Sequence, residues 1–128
     1  MGHLGLLPQT ADTFRVHGKQ GKEAAQIVDD AVSVQSAGAF SLVLESVPER
    51  LGTQITRELS IPTIGIGAGN QCDGQVLVVN DMLGLTTAHL PKFVKPYADL
   101  SGLIRSAASS YAHDVRTRLF PDAEHTYH

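Results

Sequence analysis

The spacing of apolar residues changes several times along the chain, and each change predicts an element. Phe40 to Glu45 is a short, mostly apolar run, the pattern of a strand covered on both faces in a helix-flanked parallel sheet. It ends on a carboxylate, Glu45, and meets Ser46-Val47-Pro48-Glu49, which fits a capping box at a helix start. Val47, Leu51, Ile55 and Leu59 then form one helical stripe, which stops at Ser60-Ile61-Pro62 because Pro62 disfavours helical geometry at Ile61. Thr63 to Ile66 reads as a second strand. Strand, helix and strand in about thirty residues make a βαβ unit, with parallel strands and a right-handed crossover.

The rest of the pattern extends that unit. Met1-Gly2-His3-Leu4-Gly5-Leu6 reads as the end of a strand, so the chain is expected to begin inside an element. Pro8 to Gly21 is polar and glycine-containing, a loop long enough to be a candidate active-site loop. Lys22 to Ala37 carries Ala24, Ile27, Val28, Ala31 and Val34 at helical spacing, and Gly38 is placed to close that helix in a left-handed conformation. Gly65-Ile66-Gly67-Ala68-Gly69-Asn70 allows a sharp turn. It lacks the third glycine of a dinucleotide fingerprint, leaving a phosphate cradle and a plain tight turn both open. Gln75 to Val79 predicts a strand or a short helical turn, and Asp81 to Leu85 is a competing strand. The last helix is expected to start near Ser101 as N-cap, to present Ile104, Ala108, Tyr111, Val115 and Leu119 on one face, and to stop at Pro121. A polar tail, loosely held, runs to His128.

Composition narrows the setting. At 128 residues, with 42% hydrophobic and 18% charged residues, the chain is one ordinary globular domain spanning residues 1–128. A net charge of -3 without a long basic run argues against nucleic acid or an anionic membrane as partner. One cysteine, Cys72, excludes an intrachain disulfide, and no apolar run approaches a membrane span or a signal peptide; the expectation is a cytoplasmic protein.

The chemistry centres on Glu45. A carboxylate at the C-terminal edge of a parallel strand sits where the loops converge and ligands collect. Its competing roles are a general base, strengthened by desolvation, and a cap or ion-pair partner for the next helix. Six histidines, His3, His17, His89, His113, His125 and His128, show no metal-ligand spacing and no H-E-x-x-H motif, so no metal ligand is assigned.

Several motifs together resemble one family. Met1-Gly2-His3-Leu4-Gly5-Leu6-Leu7-Pro8-Gln9, Val43-Leu44-Glu45-Ser46-Val47-Pro48, Ile61-Pro62-Thr63-Ile64-Gly65-Ile66-Gly67-Ala68-Gly69, Asp73-Gly74-Gln75-Val76-Leu77-Val78 and Pro91-Lys92-Phe93 occur in the order found in ketopantoate hydroxymethyltransferases. The resemblance implies an α/β fold, the C-terminal half of a (β/α)₈ barrel. It also implies a transferase of pantothenate biosynthesis that moves a hydroxymethyl group from 5,10-methylenetetrahydrofolate to 3-methyl-2-oxobutanoate, giving 2-dehydropantoate. Glu45 then matches the family's proton-accepting glutamate, and His3 a histidine that contacts the oxo acid.

The same resemblance implies a magnesium ion that stabilises the enolate, with its ligands in the N-terminal half-barrel and not in this chain. Met1 is expected to fall at the end of the family's fifth strand. A partial barrel leaves two open strand edges, so the expected partner is that N-terminal half or a homo-oligomer, without which the chain should be marginal or prone to aggregate. Two rival readings are a non-catalytic half-barrel that serves as an interaction subunit and a phosphate-binding module built on Gly65 to Gly69.

Overall fold

The computed structural model describes residues 1–9 and 13–127. Thr10, Ala11 and Asp12 of the expected loop, and His128 of the expected tail, lie outside the described residues. The chain divides into two compact units, Met1–Leu77 and Val78–His128.

The first unit is a parallel sheet with helices against it. Strands β1 (Gly2–Gly5), β2 (Leu42–Glu45), β3 (Thr63–Ile66) and β4 (Gly74–Gln75) lie in the order β1-β2-β3-β4, and every pairing is parallel. Helix α1 (Gly21–Ser36) joins β1 to β2, and α2 (Glu49–Glu58) joins β2 to β3. This is the expected α/β architecture, strands alternating with helices as in half of a (β/α)₈ barrel. β1 and β4 are each paired on one side only among the described residues.

Alternation along β2 explains the packing. Leu42 and Leu44 are wholly buried against Ile27 and Ala31 of α1 and Leu51 and Ile55 of α2, with Val47, Ala68 and Cys72 completing the core. Successive side chains of a strand point to opposite faces, so Val43 and Glu45 project to the face away from these helices. The α2 stripe foreseen from Val47, Leu51, Ile55 and Leu59 packs here, Leu59 half-buried at its end. Gly38 adopts the expected left-handed conformation (φ 93°) and donates its N–H to the Gln35 carbonyl at 2.9 Å, closing α1.

Polar groups tie the start of β3. The Asp73 carboxylate accepts from the backbone N–H of Thr63 at 2.8 Å and its hydroxyl at 3.0 Å, and the Thr63 hydroxyl also meets that of Thr56 at 2.8 Å. Hydrogen bonds from the Thr63 backbone and side chain hold the Asp73 carboxyl below the usual carboxylate range. The connection from β3 to β4 contains no helix, so Asp73 does the anchoring that a crossover helix does elsewhere.

Several boundaries differ from expectation. Phe40 is 71% exposed and precedes the strand, which begins at Leu42. The capping box at Ser46 does not form: Pro48 is the N-cap of α2 and makes no side-chain cap bond. Ser46 instead takes a left-handed φ of 53°, and its N–H donates to the Ile66 carbonyl at 2.9 Å. The sheet claims that amide, so the helix cannot use it. Helix α1 spans Gly21–Ser36 rather than Lys22 to Ala37.

In the second unit, α3 (Val79–Met82) is a single helical turn where Asp81 to Leu85 had predicted a strand. The strand expected from Gln75 to Val79 is confined to Gly74–Gln75. Gly84, at a φ of 68°, turns the chain, and Tyr97, Leu100 and Ser101 donate backbone N–H groups to Met82, Leu83 and Gly84. Those carbonyls therefore go to a loop and a helix start, and no strand pairing forms. Helix α4 (Leu100–Thr117) is capped by Asp99, whose side chain accepts from the Gly102 N–H at 2.9 Å; Ser101 lies inside the first turn. It ends at a left-handed Arg118, before Leu119 and Pro121. None of its residues is buried, and Ile104, Tyr111 and Val115 of the foreseen apolar face are exposed. Phe120 packs edge-on against Tyr111, their ring centroids 5.5 Å apart.

Candidate active site

The two residues singled out by sequence, His3 and Glu45, are in contact. His3 Nε2 lies 3.1 Å from Glu45 Oε2. His3 pairs with Val43 in the ladder, and Gly5 lies directly opposite Glu45, so the contact runs diagonally across two neighbouring strands. Gly5 itself lies tight against the backbone of β2. It has a φ of 91°, and a Cβ there would fall 2.1 Å from the Glu45 carbonyl oxygen, so any other residue would collide with the strand.

The carboxylate is the more enclosed member of the pair. Glu45 is 8% exposed, whereas the His3 side chain keeps 31% of its surface open. A buried carboxylate is costly unless paired, and the imidazole supplies that partner. His3 meets the carboxylate through Oε2. The backbone around the carboxylate is held by three segments. Leu6 N–H donates to the Glu45 carbonyl, Ser46 N–H to Ile66, and His17 N–H to the Ser46 carbonyl, all at 2.8–2.9 Å.

Other candidates fall elsewhere. Within Gly65 to Gly69, Gly67 and Gly69 have φ of 69° and 84°; a Cβ on Gly69 would meet the Glu49 side chain of α2 at 2.5 Å, and one on Gly65 would meet the Gln75 side chain at 3.0 Å. These close approaches are to the protein's own side chains. Cys72 is buried in the core. A cleft of about 310 Å³ lined by Ala24, Ala25, Val28, Asp29 and Gln54 involves α1 and α2, and does not include His3 or Glu45.

Among the described residues, no group of three or more His, Cys, Asp or Glu could hold a metal ion. The residues present therefore do not fit the magnesium ion that the resemblance implies. No described helix is long and apolar enough to cross a membrane.

Sequence reasoning missed Gly5, Ser46 and His17. Gly5 carried a usable signal, a glycine two residues after a histidine in a strand. Ser46 carried a misleading one, since its fit to a capping box hid the left-handed turn.

Residues 1–123 match the family model described as ketopantoate hydroxymethyltransferase. The chain belongs to this family. Proteins named 3-methyl-2-oxobutanoate hydroxymethyltransferase are similar to it along 99% of its length: that of Chlorobaculum parvum at 52% identity, that of Clostridium beijerinckii at 51% and that of Nitratidesulfovibrio vulgaris at 55%. The chain covers 47%, 47% and 42% of those proteins respectively, about half the length of the relatives it matches.

Proposed function

We propose that this chain carries the proton-transfer half of a ketopantoate hydroxymethyltransferase site, with Glu45 as the general base and His3 as its partner and substrate contact. The reaction joins 3-methyl-2-oxobutanoate, the methylene unit of 5,10-methylenetetrahydrofolate and water to give 2-dehydropantoate and tetrahydrofolate, a step toward pantothenate. The observation that carries this reading is the 3.1 Å contact between His3 and a Glu45 that is almost fully withdrawn from water.

The chemistry requires a base at C3 of the oxo acid. The C–H there is acidified by the neighbouring carbonyl, and its removal gives an enolate, the carbon nucleophile that takes up the one-carbon unit. Glu45 Oε1 receives that proton. A fixed partner on Oε2 holds the carboxylate in line with the C–H. His3 Nδ1 faces the oxo acid. A magnesium ion, implied by the resemblance, would take its ligands from residues outside this chain. The one-sided pairing of β1 and β4 fits a sheet completed by the remaining strands of a barrel, in the soluble homo-oligomer that the resemblance implies.

The test is exchange of the C3 proton of 3-methyl-2-oxobutanoate with deuterated water, by the chain mixed with a family N-terminal half. Exchange is expected on mixing and should disappear in Glu45→Gln. Undiminished exchange in that variant would remove Glu45 from the role.

A further inference from the structure

Beyond the base and its partner, the segment Arg15 to Gly18 is fastened to the turn that immediately follows Glu45. Glu23, in the first turn of α1, is the anchor: Arg15 Nη2 lies 2.8 Å and His17 Nδ1 3.3 Å from its Oε1. The hydrogen bond from Arg15, then that from the Gly18 N–H, holds the Glu23 carboxyl below the usual carboxylate range. Gly18, at a φ of 72°, has no room for a Cβ, which would fall 2.4 Å from Leu51 Cδ2 and 3.0 Å from Ile27 Cδ1. The strap is thus seated on both helices of the first unit. From it the His17 N–H reaches the Ser46 carbonyl at 2.8 Å.

Ser46 is where this grip acts. Among the described residues it is one of two non-glycines with positive φ, Arg118 being the other, and a serine in that region relaxes toward extended or right-handed backbone unless its surroundings hold it. Its N–H is fixed by Ile66 and its C=O by His17, so the turn is clamped between β3 and the strap. If the strap lets go, Ser46 can rotate, and the last rung of β2, on which the Glu45 side chain stands, loses its fixed orientation.

We propose that the Arg15–Gly18 strap, locked by Glu23, is a positioning element that holds Ser46 left-handed and thereby keeps the Glu45 carboxylate aimed beside His3. Glu23 and His17 are positioning residues, touching neither substrate nor the carboxylate. The inference rests on the reading of Glu45 as the base and His3 as its partner, but its test reads their contact directly and needs no turnover.

Nitrogen-edited spectra of the imidazole rings of the full chain report the His3–Glu45 contact, and the amide-to-α-proton coupling of Ser46 reports its φ. Glu45→Gln sets the reference displacement of the His3 signal. Glu23→Ala should move that signal part of the way in the same direction and shift the Ser46 coupling away from its left-handed value. Adding Ser46→Gly to Glu23→Ala should return the His3 signal to its original position, because glycine takes a positive φ without a clamp. A merely structural anchor would not be rescued by a glycine at a residue it reaches only through His17. A His3 signal that moves with Glu45→Gln but not with Glu23→Ala, or that Ser46→Gly fails to restore, would overturn the strap and leave the pair standing. A His3 signal indifferent to Glu45→Gln would overturn the pair, and the strap with it.

Discussion

Helices α2 and α4 both carry apolar residues at helical spacing, and they meet opposite fates. In α2, Leu51 and Ile55 are 3% and 0% exposed; in α4, Ile104 and Tyr111 are both 59% exposed. Spacing gave each helix an apolar face, but only the first unit provides a surface for that face, the Leu42 and Leu44 side of β2. Among the described residues of the second unit, none is buried. Periodicity creates a face, and topology decides whether it becomes a core. The polar groups repeat the contrast. Asp73 fastens the N–H and hydroxyl of the fully buried Thr63, whereas Asp122 bonds its near neighbours in an exposed tail, among them the N–H and ring of His125.

The largest expected effect is in the first core. Ile55→Ala should lower unfolding free energy by about 2–5 kcal/mol, since it removes a wholly buried side chain and leaves a cavity between α2 and β2. Urea denaturation measures it. Next comes Gly5→Ala, which forces a Cβ into the β2 backbone at a left-handed position and should cost about 1–3 kcal/mol. It should also displace the His3 ring signal. An unchanged His3 spectrum would mean that the close fit of Gly5 against the β2 backbone does not bear on the His3–Glu45 contact.

A smaller effect distinguishes the two carboxylates by pH. The Asp73 carboxyl is depressed in the folded state, so its contribution is present above the ordinary value of 3.8 and is lost as pH falls below it through the folded value. Asp73→Asn should therefore flatten the acid limb of the stability curve, while Asp122→Asn should leave the unfolding of the first unit unchanged. Equal effects from both would break the contrast between them. The smallest effect belongs to α4, where Ile104→Ala should change stability by no more than about 0.5 kcal/mol. A loss as large as that of Ile55→Ala would show that α4 has a packed partner in solution.

Much of the first unit was legible because its signals are local. The apolar run into Glu45, the stripe from Val47 to Leu59, the strand Thr63–Ile66 and the left-handed closure at Gly38 depend on neighbours in sequence, and the structure contains each of them. The errors share a different cause. Ser46 looked like a helix cap, and Asp81 to Leu85 like a strand, because a sequence displays a backbone group's options without showing which partner arrives. Ile66 took the Ser46 amide, and Tyr97, Leu100 and Ser101 took the carbonyls of Met82, Leu83 and Gly84.

By itself, then, the sequence determined the alternation of strands and helices, the parallel βαβ unit, the placing of Glu45 at a strand's C-terminal edge and the family to which its motifs point. Only the tertiary structure decided that His3 stands 3.1 Å from Glu45, that Gly5 lies tight against the β2 backbone and that a strap anchored on Glu23 reaches Ser46. The reason is physical. Periodicity and turn chemistry act over a few residues, while a contact between residues 42 positions apart exists only once the register of two strands has been set.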